Sequence, residues 1–591
     1  MVKNDPLCRV LYIDLNKRRS SIEERPELFE SAIGGTGVAT RLLEEECKPG
    51  TDPFSEGNPI IFATGPLVGL LPLASKTVAM FKSPHTGNLG ESHAGGRSSV
   101  SIRMAGYGAI VIRGASATPV YVTVDGDKVN FRDASALWGL RSAYTVGSVL
   151  RTRERGSGER TILRIGRAGE RLVTYACLIA ETYRHFGRLG LGAVFGSKKL
   201  KALIISGRRS LPVADRKEFR SIYDEVFKEA TQSSLMKKYH DIGTAINVEP
   251  LNKIGGLPTR NLQSGFFEEA DKISGEALAS NYLGRRVACT HCPVACIHLA
   301  ALRIPYPHDP YFFKTDMIGY DHEPVFAMGS YLGISEVAGM LKIIDETEIQ
   351  GLDVMSTGVA LGWATEAFQK GLITTKETDG IPLAFGDSTG YIEAIKRIVT
   401  QPTDFYKALA KGSDHASSVY GGADYALTFG GNEMAGYHTG PANYLNYLTG
   451  ARHSHLDSAG YSIDQKALSK GEKLTPDGVA EALFKEESSR QVLTSLVVCL
   501  FARNLYNDDL ILRSLAMAGF SLTKENLAAI AADIMKRKHQ FKKREGYDLV
   551  NARIPKRCIE SRSSYGEFDE PFLRQALGKF AELAGVQTCQ V

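Results

Sequence analysis

No stretch of this sequence stays apolar long enough to cross a bilayer as a helix. The most hydrophobic run, residues 59–75 (PIIFATGPLVGLLPLAS), is interrupted by three prolines and two glycines, so it reads as buried strand and turn. No secretory leader is expected from MVKNDPLCRVLYIDL, which opens on charge and passes into a short strand. There is no internal repeat and no low-complexity segment. A net charge of +5 is small for 591 residues and makes no case for nucleic acid as a partner. The nine cysteines, from Cys8 to Cys589, are odd in number and irregularly spaced, which argues against a disulfide framework. A cytoplasmic protein without membrane association is expected.

The chain is too long for one core, and two to four domains are expected. Its 43% hydrophobic and 23% charged residues are those of a globular protein. The first 210 residues alternate short β-rich runs (CRVLYIDL, PIIFATG, TVAMFKS, AIVIRGAS, PVYVTVDGDKV) with glycine turns. From residue 213 onward helical periodicity takes over, as in VADRKEFRSIYDEVFKEATQ and KENLAAIAADIMKRKHQFKKRE.

Three glycine-rich segments lie in the β-rich part. Residues 184–207 (RHFGRLGLGAVFGSKKLKALIISG) contain a GxGxxxG, but a strand follows six residues after Gly196 and no acid stands about twenty residues on. A dinucleotide fold is therefore disfavoured. Either the backbone there approaches a phosphate-bearing ligand, with Arg184, Lys198 and Lys199 nearby, or the glycines serve tight packing. The segment between Lys82 and Ser99 has no hydrophobic period and reads as a long loop of functional character. In IGGTGVATRLL (33–43), glycines run into a helix whose N-terminus could attract an anion. Three such segments suit a large polyanionic ligand.

The densest chemistry is CTHCPVACIH (289–298), with Cys289, Cys292 and Cys296 at C-x2-C-x3-C. Thiolates spaced this way hold iron–sulfur or zinc. Cys499 is the candidate for a fourth cluster ligand, whereas His291 or His298 would complete a zinc site. The basic run KRKHQFKKR (536–544) reads as the solvated face and end of a helix, or as a surface that could steer an acidic protein partner through Lys536, Lys538, Lys542 and Lys543.

Together these motifs resemble the aldehyde ferredoxin oxidoreductase family of tungsten-pterin enzymes. The likeness runs over almost the whole chain: IGGTGVATRLL, IIFATGPL with FKSPHTG, GRLGLGAVFGSKKLKALII, GLPTRN, EIQGLDVMSTG and the cysteine motif all have counterparts. The resemblance implies an α+β fold, with a β-rich base of two sheets (1–210), two mostly helical domains (211–420 and 421–591) and the cofactor at their interface. It implies a tungsten (or molybdenum) bis-pterin with no protein atom on the metal, Mg2+ bridging the pterin phosphates, and one [4Fe–4S] cluster on Cys289, Cys292, Cys296 and Cys499. The Mg2+ would take the backbone carbonyls of His93 and His185, with Lys76, Gly95, Arg184 and Gly187 near the phosphates. Glu348, Gly351 and Asp353 would contact one pterin ring, and Thr494, Val498 and Cys499 the other. Glu348 replaces the usual Asp in the first pterin motif. In the second, usually DxxGLC, Thr494 replaces the acid and Val497 the glycine.

By the same resemblance Glu323 and His455 stand beside the metal. The chemistry calls for a carboxylate of raised pKa in a dry pocket as base, with an imidazole to hold the carbonyl oxygen or relay a proton. His453, two residues from His455, is the competing imidazole. The implied reaction is oxidation of an aldehyde to its acid, with electrons leaving through the cluster to ferredoxin or a small iron–sulfur subunit, in an oligomeric assembly. Two other functions stay open: a benzoyl-CoA reductase-like active-site subunit, and a non-catalytic metal-binding or electron-transfer subunit.

Overall fold

The computed structural model describes residues 5–586, so Cys589 and the extreme ends of the first and last expected domains lie outside the described residues. The fold is α+β, a two-sheet base followed by a helical body, as expected. The first sheet holds β1 (Arg9–Asp14), β2 (Arg19–Glu24), β3 (Ile60–Ala63), β4 (Thr77–Lys82), β5 (Leu89–Ala94) and β6 (Ala109–Arg113), in the order β2-β1-β6-β3-β4-β5. The second holds β7 (Val120–Asp125), β8 (Lys128–Asp133), β9 (Glu159–Ile165), β10 (Leu178–Ala180), β11 (Arg184–Phe186) and β12 (Leu200–Gly207), in the order β11-β10-β9-β12-β7-β8. Most neighbours are antiparallel; β1 with β6 and β7 with β12 run parallel.

Alternation along these strands decides how the base packs. Leu11, Ile13, Ile60, Phe62, Ala79 and Phe81 of the first sheet meet Val122, Leu163, Leu203 and Ile205 of the second in one core. The opposite residues, Val10, Tyr12, Ile61, Val78 and Met80, face helix Gly35–Glu46 and side chains from residues 492–541. C-terminal helices thus close over the N-terminal sheet. A third core, with side chains from residues 168–586, fills the helical body and draws from both sides of residue 420.

Four readings of the sequence are corrected here. The supposed loop between Lys82 and Ser99 contains β5, which pairs along its length with β4. Its signature is hidden because Glu91 and Ser92 are polar yet buried, so no apolar alternation marks it. The helical part also contains a three-stranded antiparallel ribbon of β13 (Leu283–Val287), β14 (Ile297–Tyr306) and β15 (Asp309–Tyr320), with the cysteine motif in the β13–β14 connection; a short hairpin of β16 (Thr428–Phe429) and β17 (Asn432–Glu433) follows. In helix Lys524–Arg544, Lys538, His539 and Lys542 are buried, so only part of the basic run, Lys536, Gln540 and Lys543, is a solvated face. Finally, the glycines of 184–207 serve packing: a Cβ on Gly192 or Gly196 would meet the carbonyls of Cys177 and Gly169. Lys198 donates to the carbonyls of Glu56 and Gly114, and Lys199 to that of Ala117, which leaves Arg184 alone of the three.

Candidate cluster and cofactor site

The cysteine loop is laced to two distant parts of the chain. Leu73 N donates to His291 O (3.2 Å), Cys499 N to Leu73 O (2.9 Å) and Lys76 N to Val497 O (3.1 Å), and Ala74 bridges Val498. Residues 73–76 therefore run between the cysteine loop and Cys499. Thr290 N donates to Gly96 O at 3.0 Å, which binds the loop to the end of β5. Gly95 has no room for a side chain: a Cβ there would stand 2.7 Å from Cys289 Sγ and 3.4 Å from Lys76 Nζ.

Burial raises the Cys292 thiol to about 12 and Cys296 to about 11, and the other thiols add to both. Burial would raise Cys289 too, but Arg184 and Lys76 outweigh it and hold that thiol below its ordinary value. Four cysteines close enough to perturb one another, with two cations against them, form an environment for an anionic thiolate cluster. Among the described residues no three His, Cys, Asp or Glu side chains converge tightly enough for a single metal ion, the arrangement zinc requires. His298 is turned away, with Nε2 on His240 O (2.9 Å) and Nδ1 facing Tyr320 Oη (3.4 Å).

Beside the cluster loop, β5 approaches β11, placing His93 and Gly95 near Arg184 and His185. His93 Nε2 meets Glu91 at 2.8 Å, and burial with the nearby Arg452 lowers its pKa to about 4. His185 is lowered to about 3 by burial, with Arg164 and Arg184 adding. Glu348 closes helix Val337–Gln350 and accepts from Tyr144 Oη at 2.5 Å; burial raises it to about 8. Gly351 follows in the left-handed conformation (φ +79°) that ends the helix. Asp353 caps helix Val354–Gln369 through Met355 N and Ser356 N and stands 3.4 Å from Arg188 Nε. Gly187 lies against Asp353.

Several buried nitrogens in this region have no partner: Arg184 Nε, His185 Nε2 and Arg188 Nη1, with His455 Nδ1 on the ring that meets Glu323. Buried donors are ordinarily satisfied. A group of them around a glycine-lined backbone fits the phosphates and ring edges of a polyanionic pterin cofactor, and the residues present therefore suit that group. Arg188 was not singled out from the sequence; the only sign was its place four residues after Arg184 in a glycine-rich run.

Glu323 follows Asp321, the N-cap of helix His322–Met328. Its carboxylate meets His455 Nε2 at 2.9 Å. Burial would raise Glu323, but His455 and His322 hold it down at about 2. The expected base of raised pKa is thus not Glu323. Asp321 is the raised carboxylate, at about 6, because it is buried next to Glu323. His455 packs on Tyr437 (5.3 Å between centroids), which stacks on Tyr461 at 4.2 Å. His453 points elsewhere, with Nδ1 on Tyr447 O (2.9 Å) and its ring against Tyr547, so the structure brings His455 and not His453 to Glu323. A cavity of about 1330 Å3 lies between helices, with Ala459, Arg490 and Arg503 on its wall, and neither Glu323 nor His455 lines it.

The segment expected to meet a second pterin is altered in the way its sequence is. The Thr494 hydroxyl donates back to Arg490 O (2.8 Å), within its own helix, so its proton is not free for a ligand. Val497 keeps the left-handed turn (φ +54°) that glycine supplies at no steric cost. Helix Gly35–Glu46 is no free anion site: Gly35 N donates to Thr64 O (2.7 Å) and Gly37 N to Ser495 Oγ (3.2 Å).

Comparison with known proteins agrees with this architecture. Residues 10–207 match the family described as aldehyde ferredoxin oxidoreductase, N-terminal domain, and residues 221–587 match its domains 2 and 3. The chain is 32% identical to tungsten-containing aldehyde ferredoxin oxidoreductases of Thermococcus kodakarensis and Pyrococcus furiosus, over 93% of this chain and 91% of each relative. It is 28% identical to the WOR-like subunit of an aliphatic sulfonate oxidoreductase of P. furiosus, over 69% of this chain and 66% of that one. Among solved structures it superposes on a chain of the active-site complex BamBC of benzoyl coenzyme A reductase with 1,5-dienoyl-CoA, at a TM-score of 0.83 and 22% identity, covering 98% of this chain and 94% of that one; that likeness is one of fold. Among the described residues no helix is long and apolar enough to cross a membrane. Across both its β-rich base and its helical body, the chain belongs to the aldehyde ferredoxin oxidoreductase family.

Proposed function

We propose that this protein oxidises an aldehyde to the carboxylic acid and delivers the electrons to ferredoxin or an iron–sulfur partner subunit. The observation that carries the reading is the Glu323–His455 contact at 2.9 Å, beside an interior of unpartnered cationic and imidazole donors. Relatives named for aldehyde oxidation match over 93% of the chain and the sulfonate relative over 69%, which favours an aldehyde.

Cys289, Cys292, Cys296 and Cys499 would hold the [4Fe–4S] cluster. Lys76, Gly95, Arg184, Gly187, Arg188, Glu348, Gly351, Asp353, Thr494 and Val498 would hold the two pterins, with the carbonyls of His93 and His185 on Mg2+. When bound, the tungsten bis-pterin supplies a two-electron acceptor and the cluster a one-electron exit.

The chain's own part is proton handling. Glu323 is ionised across the working pH range, and His455 Nε2 donates to it. A water or gem-diol hydroxyl placed against this pair loses its proton to the carboxylate–imidazole dyad, because a carboxylate at about 2 is by itself a weak base. The unpartnered Nδ1 of His455, the acceptor nitrogen when Nε2 donates to Glu323, is the atom that takes the hydroxyl proton, and Tyr437 on the ring face holds the imidazole and excludes water. Asp321, at about 6, is placed to hold a proton near the same helix start.

The test is the Glu323→Gln holoenzyme, assayed with a viologen dye. kcat falls by about 10²- to 10⁴-fold, while tungsten stays near one and iron near four atoms per chain, the content of a single cubane. Undiminished kcat with full metal content would remove Glu323 from the chemistry.

A further inference from the structure

The β14–β15 ribbon leaves the molecule where the cysteine loop ends. Ile297, the first residue of β14, directly follows Cys296. At its root, Leu299, Leu302 and Ile318 are buried, and β13 flanks it as far as Ala300. Past Arg303 the ribbon is two-stranded and its described side chains are largely exposed: Tyr306 is 51% exposed, Tyr311 89%, Phe312 64% and Phe313 43%. A two-stranded arm in water is marginally stable on its own, and four aromatics on one arm exceed the scattered apolar exposure of an ordinary surface. The outer edge of β15 pairs with no strand among the described residues. Such an edge is a template for another chain.

Charge narrows the occupant. The ribbon and its flank carry Arg285, Arg286, Arg303 and Lys314 against two acids, Asp309 and Asp316, and Asp316 is neutralised by Lys314 at 2.9 Å. Arg303 lies over the Phe313 ring at 4.1 Å, so cation and aromatic are presented together. Lys238 extends the basic surface on helix Ser234–Asp241, where Lys237 is paired with Asp241 at 2.6 Å, and the helix end is tied to Arg286 through His240 O.

We propose that this ribbon is the docking arm for a small acidic iron–sulfur protein. The partner is clasped by the aromatic tip and the free edge of β15, and sits over the cysteine loop at the root. The inference rests on the electron-transfer reading above and adds the surface that carries it. It also moves the docking role away from residues 536–544, whose Lys538 and Lys542 are buried.

The experiment uses anaerobic holoenzyme with two electron acceptors, a viologen dye and an acidic ferredoxin, and compares wild type with a tip variant (Tyr311→Ser, Phe312→Ser, Phe313→Ser) and a charge variant (Arg285→Glu, Arg303→Glu). The expected result is a dye rate within twofold of wild type for both, and ferredoxin kcat/KM reduced at least tenfold. The charge variant also loses most of the salt dependence of the ferredoxin reaction. Unchanged ferredoxin kinetics in both variants overturns the proposal. So does a wild-type chain that sediments as a dimer while the tip variant is monomeric, since the arm then binds a second copy. Wild-type flotation with anionic phospholipid vesicles, lost in the tip variant, overturns it in favour of a lipid surface. If wild type oxidises no aldehyde with the dye, the functional reading fails separately. Ferredoxin binding by fluorescence anisotropy then decides the arm: weakening of tenfold or more in the tip variant upholds it, and equal binding rejects it.

Discussion

At the scale of single residues, the site is built from groups forced away from their ordinary ionisation. Glu348 is the clearest. Burial raises its carboxyl to about 8, so between its unfolded value near 4.5 and pH 8 the folded chain binds a proton that the unfolded chain releases. Stability from this group is complete below about pH 4.5 and is lost as pH rises through 8. Glu348→Gln removes the titration, and the cofactor-free variant should exceed wild type in stability at pH 8 by roughly 1–3 kcal/mol and match it near pH 4.5. Urea melts at the two pH values read this directly; equal gaps at both would show that Glu348 is not neutral in the folded protein. The identity of this residue was legible from its motif, as was the Glu323–His455 pairing. The direction of their pKa shifts was not. Burial pushes both acids up, and Glu323 ends low because His455, 132 positions away in sequence, stands against it together with the adjacent His322. Arg188 and Tyr144 were missed for the same reason, since each draws its meaning from a partner brought up by the fold.

Among elements, strand β5 and helix Lys524–Arg544 make one buried system. Lys538 Nζ meets Glu91 at 2.5 Å and Gln491 Oε1 at 2.8 Å. Thr36 Oγ1 donates to Glu91 at 2.6 Å, and Glu91 receives His93 Nε2. The helix thereby fixes the strand that carries His93 and Gly95. Period counting could not find either element's role: β5 exposes no apolar face, and the lysine-rich run has the composition of a solvated surface. Removing one partner of a buried ion pair leaves the other charge desolvated, at a cost of about 3–5 kcal/mol. Lys538→Met is therefore expected to lose that much, with most of it recovered in the Lys538→Met, Glu91→Gln double variant. Denaturant melts of the two single variants and the double close the cycle. Losses that simply add would show that the pair is not coupled.

For the molecule as a whole, the cysteine site is where sequence-distant parts are joined. The motif loop belongs to the helical body, Cys499 to the C-terminal helices, and residues 73–76 of the β-rich base run between them by backbone hydrogen bonds. The three clustered cysteines were visible by spacing and Cys499 by the family resemblance; that Leu73 runs between them was not, because nothing in a linear pattern states which segment lies beside which. A cluster spanning this junction would fasten base and body together, and binding to the folded state alone raises stability by mass action. Cys499→Ser should therefore lose iron and the broad visible absorption of the cluster, and melt below wild type in anaerobic thermal scans. Cys558→Ser is the control. That thiol is buried in the helical core, where its Sγ donates to Pro555 O at 2.9 Å, so its loss lowers the melting temperature without changing iron content. Equal iron in the Cys499 variant and wild type would assign the fourth ligand elsewhere, and with it the junction.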